Sequence, residues 1–174
     1  MKKNQINPMP EYFDRYINKT DDVTLKEAFE ISLQELDNLP MSKYLALGNK
    51  VYAEGKWTIK DIFQHMIDTE RVFTYRALAF ARNEGDKVQS YDEEIYAKHA
   101  DANRRSLEDI INELKLVRRS FIEMYQSFTP EMMLRTGKGF KGEYSVLSIG
   151  FMMPGHQRWH MDVIEERYFQ LIEK

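Results

Sequence analysis

Histidine is the residue type in this sequence that is best suited to metal chemistry, and the chain has only four. His156 and His160 are four residues apart, which on a helix places both rings on one face about one turn apart. Neutral imidazoles at that separation can bind one divalent ion with bonds of about 2.0–2.1 Å. The pair therefore predicts a metal site. The alternative is a pair of core or surface histidines that bind nothing.

A third histidine, His65, can join this pair from another segment. The C-terminal pair belongs to a series spaced by four and three residues: Ile149, Met153, His156, His160, Val163 and Arg167. His65 belongs to a similar series: Ile62, His65, Thr69, Val72 and Arg76. Such spacing is typical of the face that a helix turns into a bundle. Three histidines would leave coordination positions open, as catalytic sites do and closed structural sites do not.

Four other residues have types suited to chemistry, and each also fits a simpler role. Asp68, three residues after His65, could orient a ligand or act as a base on bound water, or it is a helix-surface charge. Glu70 fits a helix-face charge or an ion pair with a neighbouring element. Arg76 could meet an anionic substrate, or it forms an interhelical salt bridge. His99 lies among polar residues and is expected in a solvated loop.

The elements that position these residues are predicted to be long helices. Glycine and proline are absent from 56–84 and from 86–129, which favours helices over strands joined by tight turns. Apolar residues at three- and four-residue spacing predict helices over about 23–36, 58–82, 106–129 and 145–171. The expected N-caps are Asp21 or Asp22, Thr58 and Ser106. Pro154-Gly155 should bend the last helix or free a carbonyl in the turn before it.

Four amphipathic helices indicate an all-α four-helix bundle, and no strand pair is expected. Residues 1–19 form a proline-punctuated leader whose aromatic side chains should pack on the bundle, and residues 20–174 form the bundle itself. The segment 137–142 matches the letters G-x-G-x-x-G. Because it follows a helix end and not a strand, we reject a dinucleotide site and expect a turn before the last helix.

Composition excludes several classes of function. Lysine and arginine number 25 against 28 acidic residues, a net charge of −3, and no helix shows a basic stripe, so no nucleic-acid partner is expected. No apolar run approaches the ~18 residues of a membrane span. The absence of cysteine, and a start without a secretion signal, fit a cytoplasmic protein. The absence of cysteine also limits strong side-chain metal ligands to histidine and carboxylates.

One stretch of the sequence is distinctive beyond these patterns. It begins with Gly55-Lys56-Trp57-Thr58-Ile59-Lys60 and continues through His65, Asp68, Glu70, Arg71 and Arg76 to Arg82. Further segments belong with it: Pro10-Glu11-Tyr12, Ser106-Leu107, Tyr144-Ser145-Val146, Gly155-His156, His160 and Glu166-Arg167-Tyr168. In these residues the sequence resembles the DinB-like superfamily, which includes YfiT-type metal-dependent hydrolases and bacterial low-molecular-weight-thiol transferases.

The resemblance implies a four-helix bundle, frequently a dimer, with a divalent metal held by His65, His156 and His160. Zinc or nickel is the expected metal, with manganese as a third choice, and it would activate a water or a thiol. The sequence departs from the usual pattern at three positions near the site. Gln157 and Trp159 stand where many relatives have a glutamate and a histidine, and Pro154 stands where a helix former is usual. None of these removes a ligand.

The residues and the resemblance together predict a metal-dependent enzyme that acts on a small molecule, either a hydrolase or a thiol S-transferase. The three histidines are the expected ligands, and Asp68 is the expected base or orienting residue. Because the chain has no cysteine, any thiol must arrive with a small-molecule cosubstrate. The alternative is a non-enzymatic stress-response binding protein with a structural or vestigial metal site. A homodimer is expected in either case.

Overall fold

The computed structural model describes residues 1–85 and 88–172, and this part of the chain is mostly helical. In chain order, its α-helices are α1 (Asp14–Ile17), α2 (Leu25–Asp37), α3 (Met41–Leu47), α4 (Ile59–Ala81), α5 (Glu93–Ala100), α6 (Leu107–Gln126), α7 (Pro130–Leu134) and α8 (Val146–Val163). Helices α2, α4, α6 and α8 form a bundle in which both α2 and α4 pack against α6 and α8. The predicted all-α four-helix bundle is confirmed.

The helix ends follow capping chemistry. Thr58 and Ser106 are the N-caps of α4 and α6, as predicted. The prediction of Asp21 or Asp22 as the cap of α2 is wrong, because Thr24 caps that helix. Its hydroxyl accepts from the Glu27 amide at 3.3 Å, and the Glu27 carboxylate accepts from the Thr24 amide at 2.8 Å. Asp21 instead pairs with Arg158.

Helix α8 continues through Pro154 to Val163 and is followed by two turns that are not α-helical. A π-helical turn covers Ile164–Tyr168, and a 3₁₀ turn covers Phe169–Leu171. Two further 3₁₀ turns lie at Lys3–Gln5 and Ala102–Arg104. Within the residues that the structure describes, no helix is both long and apolar enough to cross a membrane.

The expectation of no strand pair is wrong. An antiparallel hairpin, β1 (Thr136–Gly139) and β2 (Gly142–Ser145), precedes α8. Its turn is made by Phe140 and Lys141, and Lys141 adopts a φ of 65°. The strands are four residues each and rich in glycine and charge, so they carry little of the apolar alternation by which strands are recognised. Gly137 is needed because a β-carbon there would overlap the ring of Phe80.

His99 does not lie in a loop, contrary to the prediction. It occupies the last turn of α5, a helix capped by the Asp92 carboxylate, which accepts from the amides of Glu94 and Ile95. None of the eight residues of this helix is buried. A polar, exposed helix of this length lacks the apolar face that would reveal it in the sequence.

The bundle core consists of two hydrophobic clusters, one towards each end. The cluster near the hairpin contains Phe73, Phe80, Phe121, Phe151 and neighbours, and the other contains Ile62, Phe63, Ile110, Leu114, Ile164 and neighbours. Between them lies a polar layer to which each of the four bundle helices contributes one buried residue: Ser32, Glu70, Arg118 and Gln157.

Hydrogen bonds join all four helices in this polar layer. Arg118 donates to both Glu70 carboxylate oxygens, at 2.7 and 3.0 Å, and to the Gln157 side-chain oxygen at 3.0 Å. The Gln157 amide nitrogen donates to the Ser32 carbonyl and to the Glu35 carboxylate, each at 3.0 Å. Glu70 thus makes an ion pair with a neighbouring helix, which was one of its two expected roles.

Residues 1–19 pack on the bundle through apolar side chains and through the close approach of α1 to α8. Ile6, Phe13 and Ile17 are buried in the cluster near the hairpin. The Tyr16 carbonyl lies against Gly155, where a β-carbon would overlap it. The Tyr16 ring meets Trp159 edge-on, with centroids 5.5 Å apart.

We expect Arg118→Met to lower the free energy of unfolding by about 3–5 kcal/mol, because it leaves the Glu70 carboxylate buried without its countercharge. The matched control is Arg71→Met, which breaks a half-exposed pair with Glu113 and should cost about 1 kcal/mol or less. Urea denaturation of both variants measures the difference. Equal losses would contradict the central role of the buried pair.

We expect Gly155→Ala to push α1 away from α8, because the backbone carbonyl of Tyr16 cannot yield as a flexible side chain would. Overpacking of this kind costs about 1–3 kcal/mol. The change should also alter the fluorescence of Trp159, which packs on Tyr16. Gln126→Ala, at an exposed position of α6, is the control. An unchanged melting temperature and spectrum in Gly155→Ala would mean that the leader is not held against α8.

Candidate metal centre

The structure brings His65, His156 and His160 together in one cluster. The Nε2 atom of His156 lies 3.3 Å from that of His65 and 3.0 Å from that of His160. One ligand atom from each residue falls within 4.8 Å of the others. An ion at tetrahedral angles and about 2.0–2.1 Å from each nitrogen would separate its ligand atoms by about 3.3 Å. The donor atoms therefore fit a single divalent ion.

Two bundle helices position these rings. His156 and His160 project one turn apart from α8, and His65 projects from α4, which packs against α8. The ring of Trp57 lies 4.8 Å from that of His65, and the ring of Tyr16 lies 5.1 Å from that of His156. The leader and the segment before α4 thus close the cluster from two sides.

Burial keeps all three imidazoles neutral. It lowers the pKa of His65 to about 3, with the neighbouring His160 adding to the effect, and the pKa of His160 to about 4. Burial also lowers the pKa of His156, and both other histidines and Arg118 lower it further. Neutral imidazole is the form that binds metals, so the site needs no proton loss near pH 7 to accept one.

A hydroxyl chain lies behind His65, and sequence reasoning missed it. The Thr69 hydroxyl lies 3.5 Å from His65 Nδ1 and 2.7 Å from the Tyr91 hydroxyl. Burial raises the pKa of Tyr91 to about 12, so this phenol stays protonated. Thr69 stands one turn after His65 in the series that predicted the site, and that position was the available signal. Tyr91 lies in the segment between the predicted second and third helices and offered no such signal.

Gln157 connects His156 to the polar layer. Its amide accepts from Arg118 and donates to Ser32 and Glu35 at the same time. A glutamate at this position could only accept, and it would face the Glu35 carboxylate. The neutral side chain therefore matches its surroundings, and it fixes the backbone next to a cluster histidine.

A cavity of about 600 Å³ opens beside the cluster. His65 and His156 line it together with Thr69 and Arg76. Its other lining residues are aromatic or methionine (Tyr12, Phe13, Tyr16, Phe73, Tyr91, Phe140, Met152 and Met153) or polar (Ser90, Asp92, Glu93 and Glu94). Such a volume is typical of small-molecule sites, which combine aromatic and apolar side chains with polar groups that orient the ligand. The arrangement can hold a small ligand beside the histidines.

Asp68 lies outside this cavity. It is half-buried, and its carboxylate accepts from the Gln64 amide at 3.0 Å. Burial raises its pKa. It lines a separate groove together with His99, Arg104 and others. The structure thus brings the three predicted ligands together, whereas Asp68, the predicted base, lines a separate groove.

The fold is similar to that of solved structures. One is YfiT from Bacillus subtilis, described as a probable metal-dependent hydrolase with an unusual four-helix bundle topology. The TM-score is 0.67 at 16% identity, over 94% of this chain and 89% of that one. Another is a mycothiol-dependent maleylpyruvate isomerase, with a TM-score of 0.59 at 10% identity, over 87% of this chain and 59% of that one. At these identities the likeness shows a shared fold.

A search of curated protein sequences gave no match. The sequence profile of the DinB superfamily, by contrast, matches residues 24–164. This range is most of the chain, and it includes the four bundle helices and all three histidines of the cluster. The protein belongs to the DinB superfamily.

Proposed function

We propose that this protein is a metal-dependent enzyme that acts on a small molecule through a divalent ion held by His65, His156 and His160. The observation that carries the proposal is the convergence of three neutral imidazoles, those of His65 and His156 buried and that of His160 partly buried, beside a cavity of about 600 Å³. Burying imidazole rings side by side is costly unless their nitrogens find partners, and one shared ion supplies a partner to all three.

The reaction is hydrolysis or the transfer of a thiol group. A zinc-type ion with three protein ligands keeps a position open, where it lowers the pKa of a bound water to about 7 or binds a thiolate. The similar solved structures include a probable metal-dependent hydrolase and a mycothiol-dependent isomerase, which supports a metal-bound water or a small thiol as the reactant. Any thiol must come from a cosubstrate, because the chain has no cysteine.

The surrounding residues have separate tasks. With Nε2 facing the ion, His65 carries its proton on Nδ1, which faces the Thr69 hydroxyl. Tyr91 holds that hydroxyl in place. The aromatic side chains offer an apolar surface to a ligand beside the histidines. Imidazole donors suit zinc and nickel, with manganese a weaker fit. The cytoplasmic location and the homodimer expected from the sequence stay predictions.

We expect the protein, purified without a histidine tag, to bind one equivalent of Zn²⁺ or Ni²⁺. His65→Ala and His160→Ala should each weaken binding by more than about 100-fold, because each removes a ligand. Competition with a chromophoric chelator measures the affinity. His99→Ala is the control, since it removes a surface histidine outside the cluster. Wild-type protein that takes up no Zn²⁺, Ni²⁺ or Mn²⁺ would overturn the proposal.

Turnover separates an enzyme from a binding protein. We expect hydrolysis of p-nitrophenyl esters, or transfer of a small thiol to an electrophile such as 1-chloro-2,4-dinitrobenzene. Removing the metal should abolish it, and adding Zn²⁺ or Ni²⁺ should restore it. Full metal occupancy that raises the melting temperature without any metal-dependent turnover would favour the non-enzymatic alternative.

The catalytic role that the sequence predicts for Asp68 is tested in the same assay. Because Asp68 lines a different groove from the histidines, we expect Asp68→Asn to keep its metal affinity and to change turnover by less than about tenfold. A larger loss of turnover at unchanged metal affinity would instead assign Asp68 the role of base on the bound water.

A further inference from the structure

Arg76 is a buried cation in the wall of the cavity beside the histidines. It is 1% exposed and lines the same cavity as His65 and His156. Arginine stays protonated in proteins, so a full positive charge is held here out of water. Burial of a charge is costly unless an opposite charge compensates it.

No carboxylate of residues 1–85 or 88–172 pairs with Arg76. One terminal nitrogen donates to the Tyr144 hydroxyl at 3.2 Å, and the other donates to the Gln89 carbonyl at 2.8 Å. Its Nε–H is buried and has no acceptor. The interhelical salt bridge that was one alternative for Arg76 is therefore not made. Its acceptors are neutral, and one of its three nitrogens has no acceptor.

Arg76 lies on the same face of α4 as His65, one of the cluster histidines. His65, Thr69 and Arg76 lie on one face of the helix, and the Cα atoms of His65 and Arg76 are about 16 Å apart along its axis. The guanidinium carbon lies 4.6 Å from the centroid of the Phe73 ring, which stands nearly one turn closer to His65. Arg76 and two histidines of the cluster, His65 and His156, thus line one cavity.

We propose that the ligand of this cavity is a small carboxylic acid whose carboxylate is bound by Arg76. The inference rests on the proposed function in one respect: the other end of the ligand meets the metal held by the histidines. A planar carboxylate fits the guanidinium fork, whose Nε–H has no acceptor among the described residues. Exchanging a neutral acceptor for a charged one strengthens the hydrogen bond and neutralises the buried charge. The aromatic walls suit an apolar or aryl body between the two ends.

Three acidic residues at the cavity also bear on the charge of the ligand: Asp92, Glu93 and Glu94. The Asp92 carboxylate accepts from backbone amides of α5, and the Glu94 carboxylate accepts from the Trp57 indole at 3.2 Å. Glu93 is exposed, and partial desolvation together with the neighbouring Glu94 and Asp92 raises its pKa. None of the three pairs with Arg76, whose acceptors are the Tyr144 hydroxyl and the Gln89 carbonyl.

The alternative is that Arg76 has a purely structural role, in which it only holds Gln89 and Tyr144 in position through its two hydrogen bonds. Two matched probes separate the accounts: 3-phenylpropionate and its neutral analogue 3-phenylpropionamide. In ¹⁵N-labelled protein, Arg76→Lys identifies the Arg76 Nε–H signal by its absence. We expect the carboxylate, and not the amide, to shift this signal in wild-type protein. The carboxylate should bind about tenfold more tightly than the amide.

We expect Arg76→Gln to bind both probes with equal affinity, whereas Arg71→Gln, on an outer face of the same helix, should keep the preference. Equal binding of the probes by wild-type protein, an unmoved Arg76 signal, or no binding at millimolar concentrations would overturn the proposal. The titrations are run on Zn²⁺-loaded and on metal-free protein. A failure to bind metal would count against the proposed function alone, because the Arg76 signal reports the carboxylate in either sample.

Discussion

The buried ion pair between Arg118 and Glu70 is the constraint on which the rest of the structure depends. Both side chains are almost completely buried, so each charge is tolerable only while the other is in place. A shift of α4 or α6 by one turn would separate them, and apolar packing alone does not forbid such a shift. Gln157 and Ser32 extend the same constraint to α8 and α2. The polar layer therefore fixes the register of all four bundle helices.

Register matters because the histidine cluster depends on it. His156 directly precedes Gln157, and His65 lies just over one turn before Glu70, so the residues that fix α4 and α8 are close to the residues that must converge. The two hydrophobic clusters on either side exclude water, and this keeps the imidazoles neutral. The leader completes the enclosure, because Tyr16 packs on His156 and Gly155 allows α1 to approach α8. The histidine cluster thus depends on the polar layer, on both hydrophobic clusters and on the leader.

The sequence allowed the bundle and the histidine cluster to be predicted, because both depend on periodic patterns along long helices. Helix α4 combines a capping box at Thr58 with an apolar face, and the three histidines stand on such faces. The hairpin and α5 were not predictable in this way, because both are short elements with many polar, exposed residues and no periodic apolar pattern. The groove that Asp68 lines depends on α5, and the partners of Arg76 depend on the hairpin and on Gln89. Their surroundings therefore could not be inferred from α4 alone.

The two buried arginines of the bundle, Arg76 and Arg118, differ in the hydrogen-bond acceptors that surround their charges. Arg118 has a carboxylate, an amide oxygen and a carbonyl as acceptors, and its Nε–H donates to Glu70. Arg76 is buried as deeply, yet it has two neutral acceptors and an Nε–H with none. The difference cannot come from burial, since both are almost inaccessible to water. It comes from location: Arg118 holds helices together between two apolar clusters, whereas Arg76 lines the cavity that leads to the histidines. A cation left without its countercharge at that place is a binding group that is completed by a ligand.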